Sequence, residues 1–204
     1  MTVIYSNFSD SDTYLLRGIW EGLDAKIIEL TLDERYLNRS ESYEWFQLSV
    51  DFSKEENKEV DEAIESEEDT LIICGHGSEE GCFSPHFDYT VSSLNKDKIK
   101  AKRFIGIWCN ASTFAKKNNI PGFFSSMFIS NTDEADFMGI EDVEEERIKE
   151  SERKFVKTLN SLLGNNVPME KWKEVFTSII DTTNEVEVFN FSSLEYRLFA
   201  ICSG

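Results

Sequence analysis

Two segments of this sequence place a reactive side chain directly after a run that must be buried. Thr70-Leu71-Ile72-Ile73-Cys74 is uninterrupted and apolar and leads into Gly75-His76-Gly77, while Arg103-Phe104-Ile105-Gly106-Ile107-Trp108 leads into Cys109-Asn110-Ala111-Ser112. Such runs read as strands covered on both faces. In an open parallel α/β sheet, functional groups collect in the crevice beyond the carboxyl ends of the strands. His76 and Cys109 are 33 positions apart, enough chain for one crossover or excursion between neighbouring strands. If the two strands are neighbours, the imidazole can take the thiol proton and leave a thiolate as nucleophile. Gly77 lets the backbone come close to a substrate carbonyl, so its N–H and that of Cys109 are candidates for an oxyanion hole. Ala111 and Ser112 are small and allow a helix to begin beside the cysteine, where its positive end favours negative charge.

Few other residues compete for this chemistry, because the chain has only two histidines and four cysteines. His86, in Ser84-Pro85-His86-Phe87-Asp88-Tyr89, lacks a strand-end context and reads as a loop residue. Cys74 lies inside its strand and reads as packing. Cys82, after Glu79-Glu80-Gly81, is a minor alternative nucleophile or an oxidation site. A zinc site built from Cys74, His76, Cys82 and Cys109 lacks the Cys-x-x-Cys spacing such sites use. Serine-hydrolase, P-loop and dinucleotide fingerprints are absent from the sequence, so no cofactor is expected. The acid-rich stretch 133–152 reads most simply as a solvated helix face. The functional alternative is that Glu79, Glu80 or an acid from 133–136 lines a pocket for a basic substrate group.

The elements that must position the pair follow from hydrophobic patterning. Short apolar runs at 2–6, 26–32, 70–74, 103–108 and 123–130 alternate with charged helix-like segments, the pattern of βαβ units around a mainly parallel sheet. A helix is expected after Asp10-Ser11-Asp12, with Tyr14, Leu15, Ile19 and Leu23 on its apolar face. A second, acidic helix follows Ser53 with Val60, Ala63 and Ile64 inward, and 46–52 is a candidate extra strand. A long amphipathic helix carries Ile148, Phe155, Leu159 and Leu162 and stops at Gly164. Pro168 opens another, with Trp172, Val175, Phe176 and Ile179 inward. Residues 186–191 (VEVFNF) and 196–202 (YRLFAIC) read as strands. There is no internal repeat and no linker, so a single domain over 1–204 is expected.

Composition sets the outer bounds. The 204 residues carry 39 acidic and 21 basic side chains, a formal charge of −18. A phosphate backbone or an anionic membrane surface would repel such a chain, so neither nucleic acid nor membrane is an expected partner. No signal peptide and no run of about 18 apolar residues is visible, and a cytoplasmic address with free thiols is expected.

The blocks TLIICGHGSEEG and RFIGIWCNASTFA resemble the two catalytic blocks of the caspase-like (clan CD) cysteine peptidases: caspases, metacaspases, legumains, gingipains, separases and bacterial CHAT proteins. In these a hydrophobic strand ends in His-Gly, and the next core strand ends in the nucleophilic cysteine followed by small residues. The resemblance covers residues 70 to 115. It implies a three-layer α-β-α caspase-like fold with a mainly parallel six-stranded sheet. It also implies a cysteine endopeptidase working on protein or peptide substrates through a thioester, with His76 as general base, Cys109 as nucleophile, and the Gly77 and Cys109 amides as oxyanion hole. Several relatives cleave after basic residues, which a strongly acidic chain would also attract. Legumain-type members place an asparagine after the first strand to orient the histidine, and Asn7 occupies that place here. The chain departs from the caspase pattern Gln-Ala-Cys-x-Gly, with Ile107-Trp108 before the cysteine and Ala111 at the glycine position. These departures support an alternative, an inactive caspase-like module that serves protein–protein interaction or regulation. Acyl or amide transfer on the same pair is a third reading.

Overall fold

A computed structural model describes residues 1–31, 57–85 and 89–198. In chain order the elements are β1 (Thr2–Asn7), α1 (Ser11–Tyr14), β2 (Lys26–Thr31), α2 (57–66), β3 (Thr70–Cys74), β4 (Gly77–Ser78), β5 (Gly81–Phe83), β6 (Tyr89–Ser92) and β7 (Arg103–Ile107). They continue as α3 (Ala111–Asn118), β8 (Gly122–Phe124), α4 (Thr132–Phe137), α5 (Glu145–Gly164), α6 (Trp172–Ser178), α7 (Glu185–Ser192) and β9 (Glu195–Arg197). Six strands form one sheet in the order β2-β1-β3-β7-β8-β9, every neighbouring pair parallel except β8 with β9. Strands β4, β5 and β6 form a small antiparallel sheet of their own and fill the chain between β3 and β7.

The central strands are apolar throughout because both faces are covered. Alternate residues of β1, β3 and β7 divide cleanly: Val3, Tyr5, Ile72, Cys74, Ile105 and Ile107 face one core, and Ile4, Leu71, Ile73 and Phe104 face the other. The first core is closed by Phe155, Leu159 and Leu162 of α5, Trp172 and Phe176 of α6, and Phe191 of α7. The second is closed by Val60, Ala63 and Ile64 of α2 and by Phe114 and Ala115 of α3. The architecture is therefore α/β in three layers around a mostly parallel six-stranded sheet, as expected. Among the described residues no helix is long and apolar enough to cross a membrane.

Three elements differ from the sequence expectation. The helix after Asp10 is only one α turn, followed by a 3₁₀ segment over Leu15–Ile19, and Tyr14 is exposed. Gly18 sits against α5 so closely that a Cβ would lie 2.5 Å from a Val156 methyl, and Gly22, at φ +73°, turns the chain toward β2. The apolar run 123–130 pairs only as far as Phe124. Residues 186–191 are helical, not extended. Asn184 caps α7 by accepting the Glu187 N–H at 3.3 Å, and the buried positions Val186, Glu187, Asn190 and Phe191 follow a helical spacing. Glu187 is buried with Lys154 at 2.5 Å and the Asp181 N–H at 2.6 Å; this pairing of a buried carboxylate overrides the β-propensity of a Val-and-Phe-rich run. Of 196–202, Tyr196 and Arg197 lie in β9, and 199–202 fall outside the described residues, as do the expected strand 46–52 and the cap at Ser53.

Candidate active site

The strand order reverses between β1 and β3: from β1 the chain moves outward to β2, then returns across it to β3 and β7. Such a switch point leaves an open crevice at the carboxyl ends of the two strands. Three segments empty into it: the loop after β1, Gly75-His76 after β3, and Cys109 after β7. Pairing of β3 with β7 aligns Cys74 with Ile107, and the Gly75 N–H continues the ladder to the Ile107 carbonyl at 3.1 Å. His76 and Cys109 therefore leave adjacent strands at nearly the same level. Both line one cleft, together with Leu16, Phe128 and Glu152.

The two glycines around His76 are sterically required. Gly75 has φ +146°, and a Cβ there would lie 2.8 Å from the Ser6 carbonyl of β1. At Gly77 a Cβ would lie 2.3 Å from the Trp108 indole and 2.6 Å from the Gly81 carbonyl. Trp108 thus does not cap the cysteine. Its indole is buried in the α2/α3 layer with Phe104 and Phe114, on the far side of the sheet from the Leu16 and Phe128 packing. Its Nε1–H donates to the Ser78 carbonyl at 3.1 Å, which ties the end of β7 to β4 beside His76.

The segment carrying Cys109 is held from below by the chain after β8. Ser125, fully buried, accepts the Trp108 N–H at 3.0 Å and donates to the Trp108 carbonyl at 2.8 Å. The Asn110 and Ser112 N–H groups donate to the Ser126 and Ser125 carbonyls at 3.1 and 2.8 Å. Asn110 adopts a left-handed φ of +65°, a conformation that an Asn tolerates and that folds the chain straight from strand into α3. Cys109 is only part-buried, and its Sγ lies 3.9 Å from the Phe128 carbonyl.

His76 is engaged by a residue that the sequence identified only as part of a helix start. Its Nε2 lies 2.9 Å from Asp10 Oδ2, and the Phe8 ring meets the imidazole edge-on at 5.2 Å. Asp10 is itself fixed: Oδ1 accepts from the Thr13 N–H at 2.7 Å and hydroxyl at 3.0 Å. Burial raises the Asp10 pKa, but the bonds from Thr13 and the His76 ring outweigh it, and the carboxyl is held below its usual range. Asn7, expected to orient the histidine, donates instead to Glu29 at 2.7 Å and accepts the Ser9 N–H at 2.8 Å.

The remaining candidates separate clearly. Gly77 is packed beneath the indole, outside the lining of the cleft. Cys82 is fully buried, its Sγ is 3.5 Å from the His76 carbonyl, and burial pushes its thiol up to about 12, against a smaller pull from Ser6. Burial likewise holds the Cys74 thiol well above the ordinary range. Neither is a nucleophile near neutrality. His86 lies outside the described residues. Glu79 and Glu80 pair with Lys117 on the outside, and Glu134 bonds Ser130 at 2.8 Å. The acid in the cleft wall is instead Glu152, buried on α5. It had a readable signal, since it falls among Ile148, Phe155 and Leu159 on the apolar stripe of that helix. Among the described residues no three His, Cys, Asp or Glu side chains converge as metal ligands do.

No protein-family model matches the chain, and no curated protein or solved structure matches it either.

Proposed function

We propose that the chain is a cysteine peptidase similar to the caspase-like enzymes, acting through His76 and Cys109. The observation that carries this reading is their shared cleft at the carboxyl ends of two adjacent core strands, with the imidazole held by a carboxylate. The order of a His-Gly strand followed by a cysteine-ended next core strand agrees with the resemblance.

In this mechanism His76 accepts the Cys109 proton as Sγ attacks the scissile carbonyl carbon. The developing oxyanion is met by the Cys109 amide. Collapse of the tetrahedral species breaks the C–N bond, the imidazolium gives its proton to the leaving amine, and a thioester remains. Water, deprotonated by His76, then releases the acid and the thiol. A basic side chain on the acyl side is preferred, because the cleft wall contains Glu152 and the chain as a whole is strongly acidic. The substrate is a protein or peptide, and neither nucleic acid nor membrane is a partner. We assign the chain to the cytoplasm, where Cys74, Cys82 and Cys109 would remain the free thiols they are here.

A second reading, an inactive module engaged in protein–protein contact, has one observation in its favour. The cleft holds only about 40 Å³, room for one or two water molecules, so a peptide enters only if the walls move.

The test is turnover of a fluorogenic peptide library with acidic, neutral and basic acyl-side residues. Cleavage is expected for the wild type, with Lys or Arg best, and none for Cys109→Ala. Turnover that survives this substitution overturns the dyad, and no turnover at all with a Cys109 no more reactive than a free thiol favours the inactive module.

A further inference from the structure

We propose that Asp10 is the positioning residue of the site: it holds His76 through Nε2 and, by its charge, favours the imidazolium–thiolate form of the His76–Cys109 pair. This rests on the dyad reading but not on the identity of the substrate.

The argument begins with the valences of the carboxylate. Oδ1 is committed to Thr13 and Oδ2 to the imidazole, so Asp10 has one oxygen for the fold and one for the site. With the Nε2 proton on the Asp10 side, Nδ1 is the nitrogen left to receive the thiol proton. The transfer is a single proton moving from Sγ to Nδ1. The pair changes from SH and neutral ring to S⁻ and imidazolium, and Asp10 keeps its charge throughout. A carboxylate in contact stabilises the imidazolium, which an amide in the same place does not. The Asn7 assignment would have supplied only an orienting amide.

The charges facing the ring are few. Asp10 approaches from the loop after β1, Glu152 from α5 and Cys109 from β7, while the other lining groups Thr13, Ser125 and Ser130 are neutral. On its other side Asp10 borders a cavity with Arg17, Lys149 and Arg153, each paired with its own glutamate. Asp10 is the acid bonded to the imidazole, and its two neighbours in the chain fold, Phe8 and Thr13, fix the ring plane and the carboxylate respectively.

The experiment is alkylation by iodoacetamide across pH 4.5 to 9, with the modified peptide read by mass spectrometry so that only Cys109 is scored. Wild type, Asp10→Asn and Asp10→Glu are compared, with Cys109→Ala as the blank. Asp10→Asn keeps an oxygen for Thr13, and its melting curve checks that the fold is intact. An adjacent opposite charge shifts a titration by about 1 to 3 units, and half-exposed groups sit at the low end. The half-maximal pH of alkylation is therefore expected to rise by about one unit in Asp10→Asn, with a roughly tenfold loss of rate at pH values well below the wild-type midpoint, and Asp10→Glu is expected to recover part of it. An unchanged midpoint in a folded Asp10→Asn protein overturns the proposal, since a merely structural cap would not move it. A wild-type Cys109 no more reactive than a free thiol overturns both the dyad and the proposal. An activated, Asp10-dependent Cys109 without peptide turnover supports the proposal and removes only the peptidase reading.

Discussion

Replacing Ser125 with alanine should loosen the segment that carries Cys109. Ser125 is fully buried, and its hydroxyl bridges the N–H and the carbonyl of Trp108, the residue before Cys109. The carbonyl keeps a second donor in Ala111 N–H at 3.2 Å, so losing that bond costs about 1 kcal/mol. The N–H loses its hydroxyl acceptor at a buried position, which costs about 1 to 3 kcal/mol. The sum is about 3 kcal/mol, and for a chain of this size it corresponds to a fall in Tm of about 6 to 12 °C.

Two measurements check it: urea unfolding followed by tryptophan fluorescence, and the alkylation rate of Cys109 at pH 7. The midpoint should fall, and the rate should drop severalfold because Trp108 and Cys109 no longer share a fixed geometry. Ser112→Ala is the control. It removes the hydroxyl contact with Ser126 at 2.6 Å and leaves both Ser125–Trp108 bonds in place, so it should cost about 1 kcal/mol. If Ser125→Ala melts within about 2 °C of wild type, or if Ser112→Ala is as costly, the reasoning about the buried bridge is refuted.

Gly77→Ala should destabilise by about 1 to 3 kcal/mol, the usual cost of overpacking, because its Cβ would meet the indole at 2.3 Å and a backbone carbonyl at 2.6 Å; differential scanning calorimetry reads this, and a neutral result would show that Trp108 can move aside. Glu67 predicts an acid limb of stability. Burial raises its carboxyl, but bonds from the Thr2 hydroxyl and the Asp69 and Thr70 N–H groups, with the terminal ammonium, hold it below 4.5 overall. A depressed carboxyl stabilises fully above the unfolded value and loses that contribution as pH falls through the folded one. The urea midpoint should therefore decline below about pH 4.5, and Glu67→Gln should flatten this decline; an equal slope in both proteins would assign it to other carboxylates.

The sheet was legible where burial on both faces left no alternative. Thr70–Cys74 and Arg103–Ile107 carry nothing a solvent-facing strand or an amphipathic helix would need, and they pair as neighbours in the centre of the sheet. Legibility failed where a polar contact decided the outcome. Residues 186–191 have strand-like composition, yet the cap at Asn184 and the burial of Glu187 on Lys154 make them helical. Those partners lie 33 positions apart, and no local window contains them. The helix after Asp10 gives way to a 3₁₀ segment over Leu15–Ile19, in which Gly18 lies against the distant Val156.

The site follows the same division. His76 and Cys109 could be singled out because each terminates a readable strand, and strand ends are where backbone geometry exposes a side chain. The groups that hold them in place could not be, because each already had a sufficient local explanation. Asp10 reads as part of a helix-start signal and does cap a helix; only the parallel pairing of β1 with β3 brings that cap to an imidazole 66 positions away. Ser125 lies inside the apolar run 123–130. Trp108, which in sequence looks like an obstruction, is the bolt between the two loops, because Gly77 leaves room for its ring. A residue satisfied twice, once locally and once across the sheet, is thus the kind that sequence assigns to structure alone. Asp10 divides its two oxygens between these roles, so a substitution that spares one and removes the other separates fold from chemistry.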